Sequence, residues 1–183
     1  MRVYLDTGVF IDYLSTRGHT NAILRSAGRR GRAPEEIAVD AERLFEKVSS
    51  THTGATSCLT YYEVEEALYR LLAQSAKGVS RADTLLIPAA RSIITQVQIV
   101  VELFNLSVLD LTSGTVRLQL QQLDLQTRGI RAADALHAAS AIAFDVDLLV
   151  STDDALLHLE GILVNSRGRK ILWRDTDSAL QLV

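Results

Sequence analysis

Arg2-Val3-Tyr4-Leu5-Asp6-Thr7-Gly8-Val9-Phe10-Ile11 is the stretch on which the fold turns. A short apolar strand ends on a carboxylate, and an amphipathic segment, Gly8 to Leu14, begins at once. A strand that runs straight into a helix opens an α/β arrangement. The same order recurs downstream. Ala55-Thr56-Ser57-Cys58 reads as a second strand, followed by a helix whose Val64, Ala67, Leu68, Leu71 and Leu72 keep the spacing of one core face. Residues 35–49 carry Ile37, Ala41, Leu44 and Val48 at helical spacing. A long helical stretch is predicted from about Ser80 to Phe104, with Pro88 as a break. Ser107-Val108-Leu109 reads as a strand, and residues 113–128 as a helix ended by Gly129. An Ala-rich helix over 132–144 leads into the strand Asp147-Leu148-Leu149-Val150, and Asp153 opens a short helix. Ile162-Leu163-Val164 reads as the last strand. Residues 16–34, rich in Gly and Arg and containing Pro34, read as a loop or mobile excursion, and the tail 167–183 is ambiguous. Strands alternating with helices imply a mostly parallel sheet of four to five strands with helices on both faces.

The 183 residues fit one domain spanning 1–183, and a chain of this size buries roughly 70% of its unfolded surface. Hydrophobic residues make up 48%, but charges interrupt them and no run of about 18 apolar residues occurs, so no membrane span is expected. The N-terminus lacks the apolar stretch and cleavage site of a signal peptide. A single cysteine, Cys58, excludes an internal disulfide and is expected to be a buried, inert thiol. These features point to a cytoplasmic, reducing location. The net charge of −3 does not decide whether nucleic acid is a partner, because a basic patch can be local.

In an open parallel sheet, ligands bind beyond the carboxyl ends of the strands. Asp6 follows the first strand directly, Glu63 lies early in the helix after the second, and Asp153 comes three residues after Val150. Asp134 opens the helix that runs back antiparallel to the sheet, which brings its N-terminus to the same edge. Two unit charges about 5 Å apart repel by roughly 3 kcal/mol at an effective dielectric of about 20. Four gathered carboxylates therefore call for protons or cations, and hard divalent cations such as Mg²⁺ or Mn²⁺ prefer oxygen ligands. No Cys/His cluster has zinc spacing. On the helix after the second strand, Glu63, Glu66 and Arg70 share one flank and Glu65 lies on the other. Glu66 is thus an additional ligand candidate, as is Asp154 beside Asp153.

Four sequence blocks resemble those of PIN domains: Val3-Tyr4-Leu5-Asp6-Thr7-Gly8-Val9-Phe10-Ile11, Ser57-Cys58-Leu59-Thr60-Tyr61-Tyr62-Glu63, Arg131-Ala132-Ala133-Asp134-Ala135-Leu136-His137-Ala138-Ala139 and Leu148-Leu149-Val150-Ser151-Thr152-Asp153. Their order and spacing match from residue 2 to about 164. The resemblance implies a three-layer α/β/α fold and Mg²⁺- or Mn²⁺-dependent cleavage of RNA, with Asp6, Glu63, Asp134 and Asp153 as catalytic metal ligands. The small single-domain type is similar to the toxins of VapBC-type toxin–antitoxin pairs, which implies a homodimer and an antitoxin partner. The chain departs from the pattern in its long segment between Asp6 and Glu63, in Gly8 where Ser is frequent, and in the adjacent Asp153-Asp154.

Ordinary roles exist for the same residues. Asp6 and Asp153 suit helix N-caps, and Asp134 suits a helix dipole. Thr7, Ser57, Ser151 and Thr152 can orient ligands or water, or simply cap. His137, one turn after Asp134, could touch substrate but reads foremost as a packed or partly exposed structural histidine, and Trp173 reads as tail packing rather than a base-stacking platform. Arg25, Arg29, Arg30 and Arg32, with His19 nearby, form a local basic patch suited to RNA phosphates or to a solvated loop. Arg167, Arg169, Lys170 and Arg174 form a weaker one. Two other functions compete with a nuclease. One is a non-catalytic PIN-like scaffold binding RNA or protein, which four intact acids argue against. The other is a haloacid-dehalogenase-type phosphatase, whose chemistry wants a second Asp where Gly8 stands.

Overall fold

The computed structural model describes residues 1–17, 24 and 28–183. Among these residues, five parallel strands form one sheet in the order β3-β2-β1-β4-β5. They are β1 (Arg2–Leu5), β2 (Thr53–Ser57), β3 (Ser107–Leu109), β4 (Leu148–Val150) and β5 (Leu172–Arg174). Helices cover both faces, giving three layers. Strand alternation divides the core. Val3, Leu5, Leu148 and Val150 face one side, packed with Phe10, Leu44, Phe45, Val64, Val97 and Phe104. Tyr4, Leu149 and Trp173 face the other, with Ala135, Ala138 and Ile142. Strands buried on both faces explain why the sequence shows continuous apolar runs instead of alternation.

The helices are α1 (Thr7–Leu14), α2 (Pro34–Thr51), α3 (Leu59–Ser75), α4 (Asp83–Arg91), α5 (Ile93–Leu103), α6 (Ser113–Gln121), α7 (Leu123–Thr127), α8 (Ala132–Ala143), α9 (Asp154–Leu157) and α10 (Thr176–Ala179). The stretch expected as one helix over 80–104 is two. Pro88 sits inside α4, and the break falls at Ser92, whose N–H bonds the Pro88 carbonyl at 3.2 Å. Asp83–Leu103 has the length and composition to cross a membrane, but its two helices bury Ala90, Ile93, Val97, Val100 and Val101 in the core. The helix expected over 113–128 is also divided, at Gln122, before Gly129 closes α7 at φ 70°.

The last strand is a correction. Ile162-Leu163-Val164 is not in the sheet. Val164 makes only an isolated antiparallel bridge to Lys170, and the chain doubles back there through Gly168 at φ 73°. The carbonyl side of Asn165 holds this loop, accepting the N–H groups of Arg167 and Arg169. The strand beside β4 is β5, from the tail left ambiguous by the sequence, with Trp173 fully packed. Cys58 is half-buried, at the start of α3, not fully enclosed.

Within the expected loop, Leu24 is buried in the core, and Arg29 to Arg32 form a tight turn with Arg30 at φ 53° and Gly31 at φ 77°. Positive φ at both central residues matches a type I′ turn. His19 and Arg25 lie outside the described residues.

Candidate metal centre

β1 and β4 end in register at Leu5 and Val150, so Asp6 and the Ser151-Thr152-Asp153 loop leave the sheet side by side. The Asp6 N–H bonds the Val150 carbonyl at 3.0 Å. α3 brings Glu63 from one flank and the first turn of α8 brings Asp134 from the other. The result is a cleft of about 460 Å³ lined by Asp6, Glu63, Asp134 and Asp153 together with Thr7, Gly8, Thr152, Glu66, Arg70 and Arg131.

Two of the acids that line the cleft also cap helices, as their positions in the sequence allow. Asp6 caps α1, its Oδ1 accepting the Thr7 N–H at 2.8 Å, while Oδ2 accepts the Ser151 hydroxyl at 2.6 Å. Asp153 caps α9 through the Ala155 N–H at 2.7 Å. The Ser151 Oγ also accepts the Asp153 N–H at 3.0 Å, so one hydroxyl ties the Asp6 carboxylate to the Asp153 backbone. Thr7 donates to Glu63 Oε2. Ser57 caps the start of α3, accepting the Leu59 N–H at 3.2 Å.

His137 is where the sequence reading fell short. It is fully buried, as a packed histidine should be, yet its Nε2 lies 2.8 Å from Glu63 Oε2 and 3.6 Å from Asp6 Oδ1. Potential ligand atoms of Asp6, Glu63 and His137 lie within 4.8 Å of one another. Its position one turn after Asp134 was the available signal. No comparable signal marked Tyr4, whose hydroxyl meets His137 Nδ1 at 2.6 Å.

The electrostatics reflect crowding. Burial, then the charges of Asp153, Asp6 and Glu63, push the Asp134 carboxyl up to about 6. Burial alone would raise the Glu63 carboxyl, but the hydrogen bond and charge of His137 and the Thr7 hydroxyl hold it below its ordinary value. Burial disfavours the His137 imidazolium, and Asp6, Glu63 and Asp134 outweigh that and raise its pKa.

Several nominated residues are engaged elsewhere. Glu66 lines the cleft but pairs with Arg70 at 2.9 Å, and Glu65 points to a separate groove, where it meets Arg91 at 3.2 Å. Asp154 is exposed and pairs with Arg30. The described arginines of the basic patch are each paired with acids: Arg29 bonds buried Asp12 at 2.9 Å, Arg30 bonds Asp154 and Asp175, and Arg32 bonds Asp40 and Asp177. By contrast, Arg131 lines the cleft and forms no ion pair with the described residues.

Fold and site together define a class: a three-layer α/β/α protein with an acidic cleft at the carboxyl edge of a parallel sheet. One chain of the crystal structure of VapBC2 from Rickettsia felis, bound to a DNA fragment from their promoter, shares this fold. The TM-score is 0.51 at 15% identity, with 96% of this chain and 98% of that one covered. No family model and no curated protein matches the sequence.

Proposed function

We propose that this chain is a divalent-metal-dependent ribonuclease of the PIN type, the toxin half of a toxin–antitoxin pair. The observation that carries the reading is the convergence of Asp6, Glu63, Asp134 and Asp153, from four separate sequence blocks, on one cleft. The donor set suits Mg²⁺ or Mn²⁺: four carboxylates crowded in a partly buried cleft, where burial first and then the neighbouring acids raise Asp134 to about 6. Asp6, Glu63, Asp134 and Asp153 would hold such a cation, which would supply an activated water and charge stabilisation at a phosphodiester.

The chain's own residues do the rest. Ser151 and the Thr7 N–H fix the Asp6 carboxylate, and Thr7 and His137 fix Glu63. Arg131 lines the cleft wall with no ion pair to the described residues, and in this reading it would take an RNA phosphate. Arg29, Arg30 and Arg32 already hold carboxylates, which in this reading favours Arg131 over them for that contact. An antitoxin, a homodimeric state and a cytoplasmic location belong to the same reading. The fold shared with a chain of a VapBC2 complex supports it.

The test is incubation of purified protein with RNA in Mn²⁺, in Mg²⁺ and in EDTA, beside Asp6→Asn. Cleavage that requires the metal and vanishes in the variant is the expected result. Metal-independent cleavage, or an Asp6→Asn protein as active as the wild type, would refute it.

A further inference from the structure

Tyr4 stands in the middle of β1 on the α8 side of the sheet, and His137 stands on α8 facing it. Both are wholly buried. Each polar end would be costly in this core without a partner. Each finds one in the other, ring against ring in an edge arrangement with centroids 5.9 Å apart. The chain continues outward: Tyr4 Oη to His137 Nδ1 at 2.6 Å, then His137 Nε2 to Glu63 Oε2 at 2.8 Å. It ends on Glu63, which α3 brings to the cleft from the far flank.

We propose that Tyr4 and His137 form a buried positioning arm that holds Glu63 in a single orientation for a divalent cation, and that His137 is not itself a ligand. The proposal rests on the metal-site reading above. A Glu63 carboxylate that holds a cation only accepts hydrogen bonds, so the 2.8 Å contact to its Oε2 has His137 presenting an N–H from Nε2. Nδ1 is occupied by Tyr4. Neither ring nitrogen therefore offers a lone pair to the cleft. The bonds from Thr7 and His137 both end on Oε2, and Oε1 receives none from the described residues. Oε1 is thus the oxygen left for a cation. Partners of this kind, which touch the ligand and not the metal, typically govern affinity by about 10- to 100-fold.

The experiment measures Mn²⁺ affinity by calorimetry and Mn²⁺ coordination by pulsed electron paramagnetic resonance, with thermal melts in EDTA to verify folding. His137→Ala is expected to weaken Mn²⁺ binding by about 10- to 100-fold. His137→Gln, whose amide can still donate to Glu63, should recover most of the loss. Tyr4→Phe, which keeps the ring, should show a smaller loss, and Tyr4→Phe combined with His137→Ala should be no worse than His137→Ala alone. The resonance spectrum should lack a directly bound nitrogen. A nitrogen coupling from the imidazole would overturn the proposal. So would unchanged affinity in folded His137→Ala or Tyr4→Phe while Asp6→Asn loses the metal. Wild-type protein that binds no Mn²⁺ would remove the metal-site reading, and this inference with it.

Discussion

Thr152 fills the space that a side chain on Gly8 would need: a Cβ built on Gly8 would lie 2.0 Å from the Thr152 Oγ1 and 2.9 Å from its Cγ2. Gly8 is therefore small because the loop carrying Asp153 packs against α1 there. Gly8→Ser should displace Thr152, shift Asp153 and weaken Mn²⁺ binding, with an overpacking cost of about 1–3 kcal/mol. Thr152→Gly in the same chain should restore both. Melting and Mn²⁺ titration of the single and double variants check this; a Gly8→Ser protein with wild-type values contradicts it.

The pH dependence of the metal-free protein follows from Asp134. Its carboxyl has an ordinary value of 3.8 and sits at about 6 in the fold. Between those values the folded state binds more protons than the unfolded chain, so stability falls as pH rises through the window. His137, with its raised pKa, acts in the same direction, while Glu63 acts oppositely but below its ordinary 4.5. Melting temperature in EDTA should therefore drop as pH rises from about 4 toward neutrality, and Asp134→Asn should flatten the slope. Excess Mn²⁺ should reverse the drop at neutral pH, since a ligand of the folded state stabilises it. A flat wild-type profile would argue against the crowded-acid description.

The arginine turn should behave as a clamp. Arg30 and Arg32 tie residues 29–32 to α2, α9 and α10 through Asp40, Asp154, Asp175 and Asp177. Partly exposed pairs of this sort contribute roughly 0–1 kcal/mol each. Arg32→Ala should lower the melting temperature slightly, more so at low salt, and leave the salt dependence of RNA binding unchanged. Arg131→Ala should weaken RNA binding for all sequences alike and flatten that dependence. The reverse pattern in salt-titrated binding would return the phosphate contact to the arginine turn.

An apolar surface remains on α4 and α5. Leu85, Ile87, Ile99 and Leu103 are exposed, with Leu85 at 74% and Leu103 at 64%. Surplus apolar surface of this kind often marks an interface. Light scattering should give a dimer mass at micromolar concentration, and Ile99→Arg with Leu103→Arg should give a monomer. A monomeric wild type would count against the homodimer.

The sequence by itself determined the layered fold and the sheet edge at which the acids meet. Strand Val3-Tyr4-Leu5 ending on Asp6, and the 3.6-residue period of Val64, Leu68 and their neighbours, are local patterns, and local patterns dictate elements and their faces. The sequence did not decide which apolar triplet would complete the sheet. Ile162-Leu163-Val164 is as strand-like as Leu172-Trp173-Arg174, and only the reversal around Gly168 puts the second beside β4. Nor did it decide what the polar side chains would do. Arg29, Arg30 and Arg32 looked like free charge until acids from positions 12, 40, 154, 175 and 177 came within reach. His137 looked like packing until Tyr4 and Glu63, 133 and 74 residues away, closed on its two nitrogens. Pairings across such separations leave no periodicity in the chain. They exist only where the sheet and helices have already brought the groups together, and there the partner sets the role.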